Sequence, residues 1–327
     1  MSTYRTLKGY SIKKVTSDPA NTKEGQIWYN STEEKIKVNT IKPAAWASGG
    51  NLGTARSALA GCGTQTAGLG FGGNAPPPTN NPVGNTEEYN GSSWSEQNDL
   101  NTARLGMGGA GTQTAGLAFA GRLAAPPTTF KNETEEYNGS SWSEQNNVGT
   151  ARINLAGCGT QTAGLGFGGE ISTGATGVTE EYDGGSWTES GDLGTSRFAL
   201  AAAGTQTAAV GFGGYISGAS ALTEEYNGSS WTASNNMGTA RYALAGSGTQ
   251  TAALAFGGSP GNVATTEQYD GTSWTTTSSM ATGRRQLGSA NASPSSASLA
   301  FGGTPPASNA TEEFTGVVDA VTSLDVS

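Results

Sequence analysis

The sequence predicts an all-β fold: a six-bladed β-propeller with four antiparallel strands per blade and a short N-terminal β-hairpin extension. Three observations predict it. Six tryptophans (Trp46, Trp94, Trp142, Trp187, Trp231 and Trp274) recur at separations of 48, 48, 45, 44 and 43 residues, and such a period marks one supersecondary unit per repeat. Each period contains four short strand-like runs punctuated by turn residues, with no sustained 3.6-residue pattern. The two ends of the array are out of phase, so one blade must draw strands from both.

The second period shows the elements in order. Residues 104–111 are a run of small and apolar side chains, Thr112-Gln113-Thr114 is a turn, and residues 115–119 form a second run. A loop leads to Thr134-Glu135-Glu136-Tyr137. Asn138-Gly139 then predicts a type I′ hairpin, whose two central positions both take positive φ. The fourth run opens at Trp142. Glycine, 51 of 327 residues, is too frequent for helices, at about 1 kcal/mol lost per glycine against alanine. Sheets repeated radially make a propeller. The small residues of the first run suit strands crowding the axis, and the Tyr and Trp of the outer strands suit the gaps where blades splay.

Counting the companions of each Trp predicts closure. Arg follows it by ten residues in every period, at Arg56, Arg104, Arg152, Arg197, Arg241 and Arg284. The first period opens on Trp46, and the last stops after Thr311-Glu312-Glu313-Phe314 with no Trp to follow. The Trp46 strand therefore completes the last blade and removes the exposed sheet edge. The domains expected are a basic anchor segment with a β-hairpin (1–42), the propeller (43–314) and a C-terminal tail (315–327).

Segment lengths locate the tolerant site. The Phe-to-Tyr distance is 18, 18, 15, 14, 13 and 13 residues (to Phe314 in the sixth), whereas Tyr-to-Trp is always five. These loops share one face with the Trp-to-Arg connections, and variable loops on a rigid scaffold are where binding is usually placed. The candidate ligand-binding residues on them are Arg122, Phe130, Lys131, Tyr215 and Ile216. The recurring Trp and Arg residues are assigned to structure, each Arg capping an inner strand or pairing with a Glu of its blade. Neighbouring Glu-Glu residues on a strand point to opposite faces, so they do not make a catalytic carboxylate pair.

Charge is unevenly placed. Residues 1–42 hold eight Lys and Arg against four acids, a net of +4, which leaves −13 of the overall −9 on the rest. An acidic body argues against nucleic acid as a partner, and no apolar run is long enough for membrane insertion. Residues 1–14 show no signal peptide. Cys62 and Cys158 share a register in non-adjacent repeats, which predicts two free buried thiols. The chain has no histidine, which disfavours zinc sites and His-based triads. No catalytic residue, metal or cofactor is expected.

The Phe-Gly-Gly ends, the Tyr five residues before each Trp and the Arg ten residues after it resemble kelch repeats over residues 46–314. The fuller pattern, Thr-Ala-Arg, Gly-Thr-Gln-Thr-Ala, Phe-Gly-Gly and Thr-Glu-Glu-Tyr-Asn-Gly-Ser-Ser-Trp, is similar to kelch-like propellers of marine bacteriophage proteins. The periods run shorter than the roughly 50 residues of kelch. Residues 24–38, a hairpin around 30–34, are similar to short segments of phage tail and other virion proteins. The resemblance implies a non-enzymatic virion structural protein (tail, fibre, neck or capsid decoration), assembled in the host cytoplasm. Residues 1–42 would hold other virion proteins, in a homo-oligomer or multi-copy assembly. The alternative is a receptor- or glycan-binding propeller that uses the variable-loop face to hold a host surface glycan or protein. A propeller glycoside hydrolase is the third alternative. The galactose oxidase branch of kelch-type propellers needs histidine ligands for copper, which this chain lacks.

Overall fold

A computed structural model describes residues 12–78, 81–123 and 129–324. Residues 1–11 of the basic segment, and 79–80 and 124–128 of the two longest loops, lie outside the described residues. The chain divides into two compact units, Met1–Ala45 with Gly316–Ser327, and Trp46–Thr315. The described residues are all-β, with no helix.

Within the larger unit the repeats fold into four-stranded sheets, each ordered a-b-c-d along the chain. In sheet 1 these strands are Ala60–Thr64, Ala67–Phe71, Thr86–Tyr89 and Trp94–Gln97. Sheet 2 begins at Gly108–Thr112, sheet 3 at Ala156–Thr160, sheet 4 at Ala201–Thr205 and sheet 5 at Ala245–Thr249. Sheet 6 combines Gly288–Ser289, Ala297–Phe301 and Thr311–Thr315 with Ala45–Ser48, the Trp46 strand, as its strand d. Strand a of each sheet lies against strand a of the next, and that of sheet 6 lies against that of sheet 1. Small residues allow this approach: a Cβ on Gly109 would sit 3.0 Å from the Gly61 carbonyl, and one on Gly157 2.8 Å from that of Gly109.

The hairpins between strands c and d differ from the type I′ expectation. Only the glycine takes positive φ, +89° at Gly91 and +91° at Gly139. The Asn90 side-chain oxygen instead accepts from the backbone N–H groups of Ser92 and Ser93 at 3.0 and 2.9 Å, and Asn138 does the same with Ser140 and Ser141. Asn is present for its side-chain acceptor, which closes a four-residue loop as an Asx turn. Asp183 and Asp270 do this job in sheets 3 and 5. The bonds from the Ser186 and Gly185 N–H groups hold the Asp183 carboxyl below its ordinary range.

Contacts between neighbouring sheets repeat with the sequence. Every repeat Trp donates its indole N–H to the Thr that opens strand c of the preceding sheet at 2.9–3.0 Å, from Trp142 to Thr86 round to Trp94 to Thr311 and Trp46 to Thr266. Its ring meets the strand b Phe of that sheet, with centroids 4.5–5.0 Å apart. Such aromatic pairs contribute about 0.5–1.5 kcal/mol each beyond the area they bury. The Gln of each Gly-Thr-Gln-Thr turn is more than a turn residue. Its amide reaches two backbone carbonyls of the preceding sheet, as Gln161 does to Gly116 and Tyr137 at 3.1 and 2.7 Å. Sheets 1–5 each carry this clamp.

The two middle residues of each strand c, both Glu except for Gln268 in sheet 5, face opposite ways. The first pairs with the Arg of its own repeat at 2.8–3.3 Å, both side chains buried. The second accepts from the Tyr hydroxyl of the next sheet at 2.5–3.0 Å in five cases, among them Tyr137 to Glu88 and Tyr89 to Glu313. Burial, then the Glu313 hydrogen bond, push the Tyr89 phenol up to about 12. Cys62 and Cys158 are free and buried, and burial pushes the Cys158 thiol up to about 12.

The smaller unit is one sheet. Lys13–Val15 runs parallel to Ile27–Asn30, which forms the expected hairpin with Lys35–Lys42. Val318–Leu324, in the segment read from sequence as a tail, adds an antiparallel strand beside Lys35–Lys42. Asp18 organises one face of this sheet, accepting from Trp28, Asn30 and Lys37 at 2.8, 2.9 and 2.7 Å. Those three donors, Lys37 foremost, lower its carboxyl to about 2.

Candidate binding face

The face that carries the variable loops is built from two short stretches of each repeat. The residue after each conserved Arg bridges the residue after the Phe-Gly-Gly end: Ser57 with Asn74, Leu105 with Arg122, Ile153 with Glu170, Phe198 with Tyr215, Tyr242 with Ser259 and Arg285 with Thr304. The backbone bridge is constant while the side chains vary from Ser to Phe and Arg. These twelve positions are thus free of the demands that fix the rest of the repeat.

One residue further on, the backbones of all six repeats join. The N–H of Ala58 donates to the Gln286 carbonyl, Gly106 to Ala58, Asn154 to Gly106, Ala199 to Asn154, Ala243 to Ala199 and Gln286 to Ala243, all at 2.7–2.8 Å. Each of the six holds a positive φ between 51° and 65°. A left-handed conformation costs a non-glycine residue about 1–2 kcal/mol, and a saturated hydrogen-bond circuit offsets it. Behind the circuit lies a cavity of about 90 Å³, lined by strand a residues of all six sheets and by Asn291. The Asn291 amide donates to the Gly109 and Gly157 carbonyls at 2.8 and 3.1 Å. It belongs to sheet 6 and reaches sheets 2 and 3.

The five residues singled out from sequence fall into two groups on sheets that are not neighbours. Arg122 and Phe130 form an isolated bridge between strands b and c of sheet 2, and Lys131 is paired with Glu133 at 2.6 Å. The Arg122 Nε is buried without a hydrogen-bond partner. Tyr215 and Ile216 follow strand b of sheet 4. Tyr215 packs between Phe198, centroids 5.2 Å apart at 39°, and Tyr242, 5.1 Å apart at 76°. Ile216 beside them is 43% exposed.

Phe198 and Tyr242 were missed from sequence. Both directly follow an invariant Arg, and the variability of that one position (Ser, Leu, Ile, Phe, Tyr, Arg) inside an otherwise constant triplet could have revealed them. The six arginines make no free cationic site. The guanidinium of Arg241, for example, donates to the Gly257 and Thr265 carbonyls at 2.7 and 2.8 Å and to Glu267 at 3.0 Å. Among the described residues no group of three or more Cys, Asp or Glu is placed to hold a metal ion. No protein-family model matches this chain, and no curated protein matches it either.

Proposed function

We propose that this chain is a non-enzymatic structural protein of a virion. The small sheet grips neighbouring particle proteins, and a closed six-bladed propeller of kelch-like type is presented from it. The observation that carries this is the distribution of exposed aliphatic side chains. Of the seven large ones among the described residues, six (Ile27, Ile41, Val317, Val318, Val321 and Leu324) belong to the small unit. Exposed aliphatic side chains on a sheet that also exposes Lys13, Lys14, Lys35 and Lys42 suit attachment to an acidic, partly apolar partner. Among its described residues the larger unit exposes one large aliphatic side chain, Ile216, and directs its recurring polar groups into bonds within and between sheets, which suits a durable displayed body.

Three features support six closed blades. The backbone circuit through Ala58 and Gln286 returns to its start after six repeats. The Trp-to-Thr bonds run through all six sheets, including Trp46 and Trp94. The Trp46 strand supplies the outer edge of sheet 6, as the phase of the repeats requires. Cross-linking mass spectrometry of purified particles tests the function. The expected result is multi-copy presence, with cross-links to other virion proteins concentrated on Lys13, Lys14, Lys23, Lys35 and Lys42. Absence from the particles, or cross-links confined to Lys131, would sink the proposal.

A further inference from the structure

The three aromatic side chains Phe198, Tyr215 and Tyr242 form a row across the boundary between sheets 4 and 5. All three are half-buried, so ring surface remains open to solvent. The scaffold does not need them. The same bridge positions hold Ser57 with Asn74 and Arg285 with Thr304 elsewhere, and the backbone pairing persists there. Three aromatics where the fold tolerates Ser, Asn and Thr call for another explanation.

We propose that this row is a cradle for a neutral glycan, one hexopyranose ring stacking its C–H face on Tyr215 while Phe198 and Tyr242, whose planes lie at 39° and 76° to it, wall its edges. Aromatic faces carry partial negative charge that attracts polarised C–H groups, and the tyrosine hydroxyls supply polar handles at the edge. The surroundings are neutral and hydrogen-bonding. Ser217 is exposed beside Ile216. Gln286 is exposed, and its N–H bonds the Ala243 carbonyl next to Tyr242. Arg197 and Arg241, which precede Phe198 and Tyr242, are buried in their pairs with Glu224 and Glu267, and Arg285 of the next repeat is held by the Asn262 side chain at 3.2 Å. A protein partner would need a broader apolar area, and Ile216 is the one exposed large aliphatic of Trp46–Thr315 among the described residues.

The test is calorimetric titration of the full chain with maltohexaose, cellohexaose, mannohexaose and chitotetraose. At least one is expected to bind with a Kd below about 1 mM, the ordinary range for a shallow site. Tyr215→Ala should weaken that binding at least about tenfold, equivalent to about 1.4 kcal/mol, while the melting temperature stays close to that of the parent. Tyr215→Phe should keep most of it, and Phe130→Ala on sheet 2 should leave it unchanged. Silence towards all four oligosaccharides overturns the proposal, as does undiminished binding by Tyr215→Ala. The particle census is independent of this result, so the glycan cradle and the virion role can fail separately.

Discussion

The boundary between sheets 5 and 6 lacks one hydrogen bond that the other five boundaries carry. Elsewhere a Tyr hydroxyl donates to the second Glu of the preceding strand c, at 2.5 Å from Tyr269 to Glu225 and from Tyr226 to Glu181. Here the donor position is Phe314 and the acceptor position is Gln268, so both partners have changed together. The Phe314 ring still packs on Trp46, centroids 5.2 Å apart, and Gln268 is half-buried like the glutamates it replaces. Restoring both members should therefore rebuild the bond without repacking. A hydrogen bond to a charged acceptor contributes about 1.5–3 kcal/mol net, and partial solvent access reduces that to about 1–2 kcal/mol. Gln268→Glu alone should cost about 0.5–1 kcal/mol, because it places a partly desolvated carboxylate beside a ring with no donor. Phe314→Tyr alone should be close to neutral, since the amide oxygen of Gln268 can accept. The double variant should exceed the parent. Urea denaturation of all four proteins, followed by tryptophan fluorescence, gives the coupling energy. A coupling below about 0.3 kcal/mol, the scatter expected of independent sites, would refute the reasoning.

Two further outcomes follow from paired charges, one buried and one exposed. Arg241→Met removes the partner of Glu267 and orphans the carbonyls of Gly257 and Thr265; breaking such a buried pair costs about 3–5 kcal/mol. A loss under about 1 kcal/mol in urea denaturation would contradict that account. Asp18, whose carboxyl is lowered from 3.8 to about 2 by Lys37, Trp28 and Asn30, ties the small sheet to pH. A depressed carboxyl gives stability that is full above its unfolded value and lost as pH falls through the folded one. The Trp28 indole N–H resonance should therefore hold its shift down to near pH 3.8 and collapse towards about 2, and in Asp18→Asn that acid step should vanish.

The sequence made the repeat legible because each recurring residue has one physical job. Trp, Arg, Phe-Gly-Gly and Thr-Glu-Glu-Tyr keep their spacing because each joins two strands or two sheets, and a change of one residue would reverse a side chain across its strand. Jobs split between repeats were harder to see. The Gln of Gly-Thr-Gln-Thr reads as a turn residue until its two acceptors appear on the preceding sheet, some 24 and 45 positions earlier. Asn-Gly suggested the wrong turn type because the pair is common to several hairpin loops, and only the Ser92 and Ser93 N–H groups decide between them. The strand Val318–Leu324 gave no signal, since its pattern is exposed along nearly its whole length. Of the candidate face, Tyr215 and Ile216 were readable as insertions. Phe198 and Tyr242 were hidden inside a constant-length segment.

Several departures from the repeat fall together in sheet 6. Its strand a is cut to Gly288–Ser289, and the turn that follows is two residues longer, at 17 between Arg284 and Phe301 against 15 elsewhere. It lacks the Gln clamp and the Tyr hydroxyl, and its outer strand comes from the far end of the chain. These losses fall on one sheet and are met by contacts that recur in no other sheet among the described residues. The longer turn carries Asn291 to the carbonyls of Gly109 and Gly157, and Ser298 meets Ser247 at 2.8 Å in a buried hydroxyl pair. Sheet 6 is also the one sheet among the described residues whose strands come from both sides of the repeat array. Its inner strand pairs regularly only over Gly288–Ser289, and the turn after it brings Asn291 to the cavity lined by the inner strands of all six sheets. Identical repeats explain the common pattern of the first five sheets; if the six close into the proposed ring, the sheet built from both sides of the array is where that pattern can be relaxed.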